Sequence, residues 1–156
     1  MKKIIFCVCI LVVFLQLDAH SLDTGLLDIR NQIFDESKAI KPLIAASTDS
    51  VLLSSMWDSC LISIAHIDAY FFMLAIFNAI KDEDLTEETV GYLTAWLKRV
   101  KKTNNINIEG FQNIAEITDD RIKTHIRVLK NYFDKLDNLL NAEIDKVDTI
   151  RRSVGK

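Results

Sequence analysis

The sequence is short of everything that interrupts a helix. Its 156 residues include one proline, Pro42, and four glycines. That leaves little room for a turn-rich all-β fold, and no segment alternates apolar and polar residues long enough to mark a half-buried strand. Cysteine is scarce too. Cys7 and Cys9 lie in an N-terminal apolar run, so Cys60 is the lone thiol of the remainder and cannot close a disulfide within one chain. Packing must therefore hold the domain together. With no cation beside it in sequence, Cys60 reads as a small buried apolar residue and not as a thiolate nucleophile. Also missing are Gly-x-Ser-x-Gly, a P-loop and Cys-x-x-Cys, along with any excess of positive charge, since the net charge is −3. This balance gives no electrostatic reason to expect nucleic acid or an anionic membrane surface as partner.

The chain opens instead with an export signal. Lys2 and Lys3 precede "IIFCVCILVVFL", an apolar stretch too short for a span of about 20 residues, and Ala19 offers a small residue before a cut. Residues 1–19 are thus expected to be a signal peptide and 20–156 a single exported domain, periplasmic or extracellular, large enough to bury a core. Removing Lys2, Lys3 and Asp18 with the signal moves the net charge to about −4.

Apolar spacing predicts an all-α fold, an antiparallel bundle of four to five helices. Leu22, Leu26, Ile29, Ile33, Ile40 and Leu43 form one stripe, with Pro42 expected to kink or end the helix. A second helix should begin near Asp49 as its cap and run to about Lys81. "KDEDLTEE" places acid at the start of a third helix, with Asp84 and Glu87 as a variant capping box and Lys98, Arg99, Lys101 and Lys102 at its far end. "TNNIN" at 103–107 should break the pattern, leaving one helix or two between 107 and 152. From Ile122 the steps are clear: Ile126, Leu129, Phe133, Leu136 and Leu140 alternate in fours and threes, and Val147 and Ile150 resume after Glu143 interrupts. Such a heptad seam could pair beyond a single chain.

The richest stretch is "SCLISIAHIDAYFFMLAIFNAI", Ser59 to Ile80. On a helix, Ser55, Ser59, Ser63, His66 and Tyr70 fall within about 80° of one another, with Asp58 at the margin, forming a narrow polar stripe. Asp68 lies well round the helix from His66 and is expected to be a buried ionisable group, bonded by Tyr92, Trp96 or a late-helix lysine. One histidine with Asp58 two turns away is no zinc set, and neither His66 nor His125 follows a glutamate at Glu-x-x-His spacing. His125, between Lys123 and Arg127, suits a solvated flank. Ser59 and His66 lack an orienting acid and an oxyanion site, so no catalytic residue, metal ligand or cofactor is assigned.

Three readings remain. The leading one is a non-enzymatic exported bundle that binds a protein partner or its own copy. The second is a carrier of a small apolar or lipid ligand, suggested by Trp57, Tyr70, Phe71, Phe72 and Phe77. The third is a membrane-anchored envelope protein with residues 61–80 as a span, which membrane scales disfavour because Asp68 sits near its centre at a cost of about 2.5–3.5 kcal/mol.

Overall fold

The computed structural model describes residues 24–80, 84–112 and 119–154. The expected signal peptide and its cleavage point, with Leu22, lie outside the described residues. Those described form four helices and no strand: α1 (Thr24–Ile44), α2 (Ser50–Asn78), α3 (Glu87–Gln112) and α4 (Asp120–Val154).

Helix ends follow local chemistry, with some departures from expectation. Pro42 lies inside α1 and precedes its end by two residues, as expected of a ring that deprives Lys38's carbonyl of the usual N–H partner. Asp49 offers no side-chain cap to α2; its own N–H donates to Ser47 Oγ at 3.0 Å, and the first turn closes through Leu53 N–H to Asp49 O. At α3 the cap is Thr86 and not Asp84, its Oγ1 accepting the N–H of Thr89 at 3.2 Å. Glu87 and Glu88 occupy that first turn, where the helix dipole favours them. Asp119 caps α4 through Arg121 N–H at 2.8 Å. That bond holds its carboxyl below the usual range.

"TNNIN" does not break α3, which runs on to Gln112 and leaves Lys98 to Lys102 in its middle. The asparagines are kept helical by bonds outside the helix: Asn104, 1% exposed, donates to the carbonyl of Phe133 at 2.9 Å, and Asn107 donates to Ser63 Oγ at 3.2 Å. Tertiary contacts override weak propensity here. From Asp120 onward there is a single helix of 35 residues, about 52 Å long.

α1 packs on α2, α2 on α3, α3 on α4, and α4 on α1. Pairs between α3 and α4 climb one helix while descending the other: Glu87 with Arg151, Thr94 with Asp148, Lys101 with Asn141 and Asn104 with Phe133. Between these helices lies one apolar core. Leu26, Ile29, Ile33 and Ile40 enter it from α1; Leu53, Met56, Cys60, Ile64 and Ile67 from α2; Val90, Leu93, Leu97 and Val100 from α3. The α4 seam completes it with Ile122, Leu129, Phe133, Leu136, Leu140 and Val147, so the row that could have paired between chains is spent inside this one.

Candidate functional site

The polar stripe of α2 runs from surface to interior. Asp58 and Ser55 are exposed and Ser59 is half-buried, while Ser63 is buried under its bond from Asn107. His66 sits edge-on to Trp96, with ring centroids 5.8 Å apart, and its backbone carbonyl accepts the indole N–H at 3.2 Å. Partial burial, reinforced by Arg99, pulls the imidazole pKa below the usual 6.5. His66 Nδ1 is buried without a hydrogen-bond partner among the described residues. Tyr70 is buried and donates at 2.5 Å to Oε1 of Glu143. The inner part of the stripe, Ser63, His66 and Tyr70, is thus taken up by α3 and α4, while Ser55, Asp58 and Ser59 line a shallow open depression together with Ser50, Val51, Ser54 and Ile62.

Glu143 does not interrupt the α4 seam. It fills a seam position, 3% exposed, satisfied by Tyr70 and by Lys146 at 3.6 Å. Its appearance in a heptad position and a phenol on an otherwise apolar helix were two halves of one signal.

Asp68 is not buried. Its side chain is 48% exposed and holds Arg30 of α1 in a two-pronged contact, Nε to Oδ1 at 2.9 Å and Nη2 to Oδ2 at 2.8 Å. The pairing raises the guanidinium pKa further. The helix is apolar nearly all round, so the sequence pattern alone could not say which side faces inward. His125 likewise leaves its expected flank: it is half-buried, with Nδ1 2.5 Å from Glu36 Oε1, tying α4 to α1. Cys60 is a free thiol inside the core, pushed up to about 12 chiefly by burial and secondarily by the charge of Glu36, which makes it inert at neutral pH. Among the described residues no three His, Cys, Asp or Glu side chains gather as a metal set.

Apart from Tyr92 and Ile106 on α3, the large apolar side chains left exposed among the described residues lie on α1 and on the outer face of α2. Ile62, Ala65, Phe72 and Ile76 are exposed on the latter, with Ala69 half-buried between them, and Phe72 shows 51% of its surface. These five fall within about 80° around the helix. Along one edge the row is bordered by Leu61, the Arg30–Asp68 pair and Phe34 of α1, which lies 5.3 Å below the Arg30 guanidinium. The aromatics proposed as a ligand lining part company: Tyr70 and Phe71 are core, Trp57 and Phe77 are partly buried against it, and Phe72 points outward.

Comparison with protein-family models, curated proteins and solved structures finds no match, so the geometry of this face stands alone as a guide.

Proposed function

We propose that this chain is an exported, non-enzymatic antiparallel helical bundle, freed of residues 1–19, that acts by binding protein through the outer face of α2. One observation carries the reading: a row of large apolar side chains, Ile62, Phe72 and Ile76, stands in the open on the most apolar helix of the domain while the core is filled without them. Exposed apolar rows of this kind mark interaction surfaces.

A second reading rests on the same helix, because α2 is long and apolar enough to cross a membrane by length and composition, and 39% of its most apolar window is buried. Against it stands the Arg30–Asp68 pair beside the outer face, with Asp68 near the middle of residues 61–80. Each charge at mid-bilayer costs about 2.5–3.5 kcal/mol on insertion scales. The row suits a surface that meets water and then another protein better than one bathed in lipid.

Fractionation of producing cells, with mass determination of the mature chain, tests export and the cut after Ala19. Recovery in the soluble exported fraction without detergent is the expected result. Retention in membranes after alkaline extraction favours the span.

A further inference from the structure

The central part of the outer row of α2, Ile62 to Phe72, has a property that a generic sticky patch lacks: it is complementary to itself reversed. Ile62, Ala65, Ala69, Phe72 and Ile76 follow steps of three, four, three and four, the spacing of a knobs-into-holes seam. Set against a second copy running the other way, with the two-fold axis midway between Ala65 and Ala69, Ala65 meets Ala69 of the copy and Ile62 meets Phe72 of the copy. Small faces small at the centre, which allows the helices a close approach, and large faces large on either side. A parallel pairing instead stacks Phe72 on Phe72 and offers no such matching.

The charges agree with this register. A two-fold axis perpendicular to α2 keeps α1 on the same side in both copies. Asp68, one residue from the axis, therefore comes beside its own symmetry mate, and the two Arg30 guanidinia that already hold them in their own chains flank this pair. Arg30 spends Nε and Nη2 on Asp68 and donates from Nη1 to Asn31 at 3.3 Å in its own chain, which leaves one N–H on each Nη to turn toward the second carboxylate. Asp58 falls opposite Ile76 at each rim, where water reaches it.

We infer that the partner for the outer face of α2 is a second copy of this chain, docked antiparallel about a two-fold axis between Ala65 and Ala69 and bordered by the two Arg30–Asp68 pairs. This rests on the binding role proposed above and names its partner. Size sets the strength. From Val51 to Ile76 the face measures roughly 38 Å by 10 Å, and even widened by Leu27 and Phe34 of α1 it sits below the about 800 Å² per partner of a standard interface. The dimer is therefore weak and reversible.

Cysteine cross-linking of the full exported chain reads the register. Ala65→Cys and Ala69→Cys variants are oxidised separately and as a mixture, with unsubstituted chain as the background from Cys60. The mixture is expected to give about tenfold more disulfide dimer than either variant alone, and Phe72→Glu in both partners should abolish it while leaving the circular dichroism unchanged. Sedimentation at rising concentration should show reversible dimer, shifted about 100-fold or more toward monomer by Phe72→Glu. Strict monomer at roughly 200 μM, or Ala65→Cys linking best to itself, overturns the proposed pairing. If the monomeric chain is instead held by a different protein and released by Phe72→Glu, the binding face stands and only the identity of its partner falls. Dispersal only in detergent overturns both.

Discussion

α2 and α4 are both long helices with apolar residues in steps of three and four, yet they use them oppositely. α4 divides cleanly: its seam is buried, and Asn131, Asp134, Lys135, Asn138 and Asp145 face solvent. α2 does not divide. One side carries Leu53, Met56, Cys60, Ile64, Ile67 and Phe71 into the core, while the other shows Ile62, Phe72 and Ile76 to solvent. A heptad pattern thus announces that a face will be covered without saying by what. In α4 the cover is the rest of the domain; in α2 the outer half of the apolar surface is left exposed.

The sharpest way to break this contrast is to truncate an aromatic on each helix. Phe133→Ala, at a fully buried site, should lower unfolding free energy by about 3–5 kcal/mol, while Phe72→Ala should change it by less than about 0.5 kcal/mol in the dilute monomer. Urea denaturation measures both, and equal losses would mean that Phe72 is core after all.

Next in size is the Tyr70–Glu143 bond, through which α2 sends a polar group to the α4 seam. Tyr70→Phe should cost about 1–3 kcal/mol by withdrawing a donor from a buried carboxylate. Glu143→Leu should be milder than that, because it removes the acid itself and restores an apolar seam. A double-mutant cycle should give a coupling well away from zero; additive losses would place the two groups out of contact.

A smaller effect is expected with pH. His66 in the folded chain titrates below the usual 6.5 of the unfolded chain, so as acid is added the unfolded chain takes up its proton first. The stability held above pH 6.5 is lost as pH falls from there toward the lowered folded value. His66→Gln should flatten that part of the profile in thermal melts across the window, and an unchanged slope would show that burial under Trp96 does not govern the ring.

Smallest of all, Arg30→Ala should cost about 0.2–1 kcal/mol in the monomer, an effect that fades with salt because the pair is exposed. A loss that is large and indifferent to salt would mean that Asp68 is buried in solution.

How far these features could be read beforehand follows the same contrast. The α4 register from Ile122 onward follows from its period, because one apolar stripe on a polar helix has one solution, whereas its start at Asp120 does not, since the sequence leaves one helix or two between 107 and 152. The continuation of α3 through Asn104 and Asn107 does not, since it depends on Phe133 O and Ser63, which are distant in sequence. The inward placement expected of Asp68 fails for a related reason: on a helix apolar nearly all round, angular spacing tells which residues share a face but not which face is outside. Only Arg30, 38 positions away, decides it.

The outer face of α2 can be set directly against that of α4 by labelling. Ala65→Cys and, separately, Asn131→Cys, both exposed positions, are treated with a hydrophilic maleimide in detergent-free buffer over a range of protein concentrations. If α2 carries the uncovered seam, Ala65→Cys labels quickly when dilute and progressively more slowly as the chain is concentrated, while Asn131→Cys keeps one rate throughout. Identical, concentration-independent rates at both positions, or an Ala65→Cys thiol that reacts only after detergent is added, would contradict that reading.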